Sequence, residues 1–185
     1  MTAKPSSMRV CATAVFALLL VSGGHQSEPA PVEIVPTLAE PVSTADFEWI
    51  DEKIVGLNPH LQPGQVGRIR DAILASSSRH GLDPSLVLAI MTVESTGRPH
   101  ARSPKGALGL MQVMPYMIRP LDLAGNPSTI EANIEASCLI LSSDIRRLGE
   151  DDGISTYFWG GHIRGTGYLD KVRAAQHSLA LNVRS

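Results

Sequence analysis

The chain has 185 residues, 43% of them hydrophobic and 18% charged. That length holds one domain with additional chain and excludes two full domains. A net charge of −2 without a basic block argues against nucleic-acid binding, and two cysteines cannot build a disulfide-rich scaffold or a Cys-type zinc site. Aromatics are only 4%, so a core must rest on Leu, Ile, Val, Ala and Met, a composition that favours helices over strands.

The first segment reads as a secretory signal. Lys4 and Arg9 precede the uncharged apolar run Val10–Val21, and Ser22-Gly23-Gly24 follow it. A basic start, a short apolar stretch and small residues make the pattern of a removable leader over 1–24. The run is too short to span a bilayer comfortably; membrane contact is expected only if this segment is retained. Residues 25–63 are a proline-rich, acidic linker with Pro29, Pro31, Pro36 and Pro41 in no helical period. Within it Phe47, Trp49, Ile50, Ile54 and Leu57 are spaced for a short helix that docks on the domain.

From residue 64 to 180 the pattern is helical. Val66, Ile69, Ile73 and Leu74 recur at helical steps, and Gly81 ends the run. Asp83-Pro84 supplies an N-cap and a proline at the first helical position. The helix that follows, to about Ser95, is apolar nearly all round and is expected to be buried. A third helical segment is predicted over Ala107 to Met114, stopping near Pro115. Ile130, Ile134, Cys138, Leu141, Ile145 and Leu148 then form one apolar stripe closed by Gly149. Cys138 lies in that stripe and reads as a small core residue. Further helical pieces are predicted around 153–159 and 167–181. No alternating strand pattern is present, so the predicted fold class is all-α.

Glu94 ends the buried helix after the uncharged run 84–93. It is either the first exposed residue of the helix end or a carboxyl group held out of water. In the second case desolvation raises its pKa, as a general acid near neutral pH requires. The histidines are scattered without metal-ligand spacing, and neither a metal nor a cofactor is expected.

The residues after Glu94-Ser95 include Ala101-Arg102-Ser103-Pro104-Lys105-Gly106-Ala107-Leu108-Gly109-Leu110-Met111-Gln112-Val113-Met114-Pro115. This stretch resembles the catalytic signature of the soluble lytic transglycosylases, a lysozyme-like family that cleaves bacterial peptidoglycan. Its pattern, Glu-Ser and then Ala-x-Ser-x-x-Gly-Ala-x-Gly-Leu-Met-Gln-x-Met-Pro, is matched in order and spacing. The similarity runs from about 66 to 175 and takes in Asn126-Pro127 and Asn133-Ile134. It implies a goose-type, SLT-like helical domain. It also implies that Glu94 is the catalytic acid/base, Ser103 the serine hydrogen-bonding near it, and Gln112 a sugar contact. Met111 and Met114 would be apolar neighbours, Met114 the cleft wall. Gly106 and Gly109 are expected to allow close approach to the Glu94 helix.

The family's second motif, Ala-Tyr-Asn-Ala-Gly, is matched by Thr156-Tyr157-Phe158-Trp159-Gly160. Tyr157 is then expected near the catalytic Glu. Phe158 replaces the Asn and cannot supply an amide's hydrogen bonds; it either stacks on a sugar with Trp159 or belongs to the core. Ser137 stands where a Gly is usual and is expected to loosen helix packing slightly. Arg164, in a glycine-rich loop, reads as a solvated side chain or a contact for a peptide-stem carboxylate.

The resemblance implies cleavage of the β-1,4 bond from N-acetylmuramic acid to N-acetylglucosamine, with 1,6-anhydro product, in the periplasm or outside the cell. A hydrolytic goose-type lysozyme, using Asp122 or Asp152 to hold a water, is the first alternative. A peptidoglycan-binding or assembly protein with impaired catalysis is the second. Glycan strands are the expected partner, and an envelope-spanning secretion or conjugation complex a further one.

Overall fold

The computed structural model describes residues 47–118 and 126–182. The predicted signal segment and proline-rich tether up to residue 46, together with Asp122, lie outside the described residues. Those described form seven helices: α1 Glu48–Leu57, α2 Pro63–His80, α3 Pro84–Ser95, α4 Pro115–Ile118, α5 Ile130–Leu148, α6 Glu150–Trp159 and α7 Gly167–Asn182. Among the described residues there is no strand, and none of these helices is long and apolar enough to cross a membrane. The all-α class is as the sequence predicts.

The helix boundaries follow from local chemistry. At the start of α2, Gln62 and Gln65 cap each other reciprocally, and Pro63 takes the first turn. Gly81, at φ +66°, ends the helix in the left-handed conformation that a residue with a Cβ adopts at a cost. The Asp83 carboxylate accepts from the Ser85 N–H at 2.7 Å and starts α3. Thr129 does the same for α5, accepting from Ala132.

α3 is the central helix. Leu86, Val87, Leu88, Ala89, Ile90 and Met91 are all buried in succession, so the helix is covered on every side. α2 brings Val66, Ile69 and Ile73 to the same core, α5 brings Ile134, Cys138 and Leu141, and α7 brings Tyr168, Val172 and Leu179. α1 is the docking segment: Ile50 and Ile54 are wholly buried in that core, which therefore begins upstream of residue 64. The stripe of α5 runs out at its end, where Ile145 is half-buried and Leu148 is exposed. Ser137, fully buried, donates its hydroxyl to the Asn133 carbonyl at 2.7 Å within its own helix.

The predicted helix over 107–114 does not form. That stretch is a compact loop with isolated antiparallel bridges pairing Leu108 with both Arg102 and Val113. Gly106, Gly109 and Gln112 have φ of +91°, +75° and +49°, and each positive value interrupts a right-handed helix. The apolar residues at 107, 108, 110, 111 and 113 mimic helical spacing, while the backbone turns back on itself.

Gly109 does make a close approach, although not to the Glu94 helix. A Cβ there would stand 2.6 Å from Asn133 Nδ2 on α5, and nothing lies within 4 Å of one on Gly106. The buried Asn133 amide clips the loop in place. Its Nδ2 donates to the Leu108 and Pro127 carbonyls at 2.9 and 3.0 Å, and its Oδ1 accepts from the Met111 N–H at 2.9 Å.

Candidate active site

Glu94 lies in the last turn of α3, where the apolar helix meets a cavity of about 630 Å³. Ser103, Gln112, Met114, Tyr157 and Phe158 line the same cavity, so the fold gathers these positions from three separate stretches of chain. Met111 is not on the wall: it is fully buried in the core beneath the loop. Tyr116, Trp159, Lys105 and Arg164 complete much of the rim. Glu94 is the one acidic residue among the described residues on this wall. Asp152 is exposed in the first turn of α6 and does not line it.

The Glu94 carboxyl group is half-buried, and Tyr168 donates its phenol O–H to Oε1 at 2.7 Å. Burial pushes the Glu94 pKa above its ordinary value, because the charged form loses water. The Tyr168 hydrogen bond acts the other way by stabilising the carboxylate, and burial is the larger effect. Tyr168 is itself buried, which, with the nearby Glu94 charge, raises its own pKa far beyond the neutral range. The phenol therefore stays a hydrogen-bond donor at every physiological pH.

The other side chains are held by the loop. Ser103 Oγ accepts from the Ala107 N–H at 3.0 Å; the described partner of the Glu94 carboxylate is Tyr168. Gln112 Nε2 donates to the Gly109 and Ala101 carbonyls at 2.9 and 3.3 Å, which fixes its side chain and leaves Oε1 as an open acceptor. The Tyr157 hydroxyl donates to the Met111 carbonyl at 2.8 Å, tying α6 to the loop. Burial also raises the Tyr157 pKa.

Phe158 lies on the cavity wall and is 52% exposed, so it is not a core residue. Its ring stacks on Tyr168 with centroids 4.6 Å apart and planes 12° from parallel. It meets the Trp159 ring edge-to-face at 4.9 Å. The Trp159 Nε1 is enclosed and has no acceptor among the described residues.

Sequence reasoning missed two residues that organise this site. Tyr168 is 74 positions from Glu94 and belongs to a different helix; nothing in the surrounding sequence marks its hydroxyl as a partner. Asn133 carried a signal as an amide beside Ile134 at the start of the helix that bears the apolar stripe. A polar group in such a place must find partners, and the loop supplies them.

Several known proteins are similar to parts of this chain. The family model described as the transglycosylase SLT domain matches residues 71–160. The chain is 33% identical over 91 residues to a transglycosylase of Enterobacteria phage PRD1, a match covering 49% of this chain and 34% of the phage protein. It is 52% identical over 73 residues to the membrane-bound lytic murein transglycosylase C of Edwardsiella ictaluri, covering 40% of this chain and 20% of that protein. The chain thus spans about a third or less of the length of these relatives. Among solved structures it is similar to an inactive mutant of the lytic transglycosylase Slt from Pseudomonas aeruginosa. That likeness has a TM-score of 0.44 and 22% identity over 60% of this chain and 22% of that one. Over residues 71–160, this chain is similar to the transglycosylase SLT domain family.

Proposed function

We propose that this protein is a peptidoglycan lytic transglycosylase that cuts the β-1,4 bond from N-acetylmuramic acid to N-acetylglucosamine. The observation that carries the reading is Glu94: one carboxyl group, raised in pKa, fixed by Tyr168 and facing a cavity among residues of the SLT domain. A carboxyl group whose pKa is raised holds its proton to higher pH, as general acid catalysis at a glycosidic oxygen needs.

Glycosidases of the two-carboxylate type need a second acid to act as nucleophile or to activate water. Glu94 has no such companion on the described wall. A substrate-assisted route fits one acid. Glu94 protonates the leaving oxygen, and the muramyl acetamido oxygen bonds to the anomeric carbon as the glycosidic bond breaks. Glu94, now a carboxylate, takes the proton from the C6 hydroxyl of the same sugar. O6 bonds to the anomeric carbon and releases the acetamido oxygen. Glu94 is protonated again, no water is consumed, and the product carries a 1,6-anhydro ring. An internal hydroxyl outcompetes solvent through proximity.

The wall residues take matching roles. Gln112 Oε1 accepts from a sugar hydroxyl or amide, Met114 gives an apolar surface, and Ser103 and Tyr157 shape the cavity next to Glu94. Phe158 offers ring surface where an amide is usual in the family. Such an enzyme works on the cell wall, consistent with a leader over 1–24 and a periplasmic or secreted location. Opening the wall for an envelope-spanning complex is one task it could serve there. Mass spectrometry of the products from purified peptidoglycan tests the reading. Anhydro muropeptides, lighter by one water than their hydrolysed counterparts, are expected; reducing-end muramic acid alone would make the protein a lysozyme, and no cleavage at all would leave it a binding protein.

A further inference from the structure

Phe158, Tyr168 and Glu94 lie on three different helices, α6, α7 and α3, and make one continuous stack and hydrogen bond. The Phe158 ring lies nearly flat on the Tyr168 ring, and the Tyr168 hydroxyl ends on Glu94 Oε1. Tyr168 is only 5% exposed, with Phe158 packed over it on the cavity side, while the edge-to-face contact with Trp159 braces Phe158 in turn.

Resting on the glycan-cleaving role of Glu94, we propose that Phe158 is a positioning residue that holds the Tyr168 phenol in register with the Glu94 carboxyl group. A phenol rotates about two side-chain torsions, and packing of its ring is what limits that freedom. Only a small displacement separates a good hydrogen bond from a lost one. An amide at 158 could not lie flat across an aromatic face over the same area. In this chain, therefore, position 158 is committed to ring packing, and the hydrogen-bonding work the family gives to this position is absent. Phe158 also keeps half its surface open to the cavity, so a sugar resting there adds a further layer over the same pair.

A double-mutant cycle over Phe158→Ala and Tyr168→Phe tests this, because only residues acting through each other deviate from additivity. Two quantities are read: kcat for peptidoglycan cleavage, and the titration midpoint of the Glu94 carboxyl carbon by NMR. Phe158→Ala should lower kcat by about tenfold or more, as a misplaced catalytic group does, and change KM less. It should move the Glu94 midpoint upward, in the same direction as Tyr168→Phe, because both lose the hydrogen bond that favours the carboxylate. In the Tyr168→Phe background, Phe158→Ala should have no further effect on either quantity. Phe158→Tyr keeps the ring and should restore both. Additive losses, an effect confined to KM, or a downward shift of the midpoint would overturn the proposal, the last by showing that Phe158 only keeps water from Glu94. The titration needs no turnover. A wild-type protein that cleaves no glycan therefore sinks the functional reading, while the coupling of Phe158 to Tyr168 is still decided.

Discussion

The side chain of Asn133 occupies the place that a Cβ on Gly109 would need, 2.6 Å from the amide nitrogen. The contact joins α5 to the loop that carries Gln112 and Met114, and three hydrogen bonds of the same amide lock it. Gly109→Ala must therefore displace the clip, and its φ of +75° adds backbone strain. Asn133→Leu removes the hydrogen bonds and leaves buried backbone groups unpaired, at about 1–3 kcal/mol for each such group. Both variants should unfold at clearly lower denaturant concentration than the wild type. Unchanged midpoints would show that the loop holds without the clip.

Glu94→Gln should reduce glycan cleavage by at least about a hundredfold, the scale of general acid catalysis. Gln is nearly isosteric and removes only the transferable proton. The folded-state pKa of Glu94 is raised. The folded protein thus holds the proton more tightly than the unfolded one, and wild-type stability declines as pH rises from the unfolded pKa through the folded one. Above that window the buried carboxylate is a burden that Gln lacks. Denaturation above that window should find Glu94→Gln at least as stable as the wild type; a less stable variant would contradict a desolvated carboxylate.

Tyr168→Phe should move the pH profile in a defined direction. The phenol hydrogen bond lowers the Glu94 pKa against the larger effect of burial. Without it the pKa rises further, the acid stays protonated to higher pH, and the alkaline fall of kcat shifts upward. The rate at the optimum should drop because the carboxyl group is no longer fixed. A profile shifted toward acid would refute the assignment of Tyr168 as donor to the carboxylate.

Gly153 marks where α6 crosses α5 closely. A Cβ there would stand 2.6 Å from the Ile145 backbone nitrogen and Cα. Backbone cannot swing aside as a side-chain tip can, so Gly153→Ala should destabilise the domain by about 1–3 kcal/mol, the range for overpacking. Thermal unfolding measures it, and a neutral result would mean that the helices separate freely. Since α6 carries Tyr157 and Phe158, activity should fall together with stability.

Much of this protein was legible before folding because its signals are local. Asp83-Pro84 and Gly81 mark the boundaries of α2 and α3 through groups one or two residues away. The stripe on α5 is a consequence of helical periodicity within a single element, and a carboxyl group after an uncharged run marks Glu94 as a candidate that the motif resemblance over 94–115 then singles out. Residues 107–114 misled for the same reason. Their apolar spacing suits a helix, while their conformation is dictated by positive φ at Gly106, Gly109 and Gln112 and by an amide on α5. The reading of Gly109 failed with it, since the partner that needs the missing Cβ lies on a helix the loop sequence does not name.

The site itself was decided by tertiary structure. Tyr168 reaches Glu94 across 74 positions, and Phe158 could have been core or wall until α7 brought Tyr168 beneath it and left its other surface open. Caps and periodicity act over a few bonds and can be read in one dimension. A hydrogen bond or ring stack between separate helices depends on how all the buried faces pack at once, and no window of the sequence contains that information.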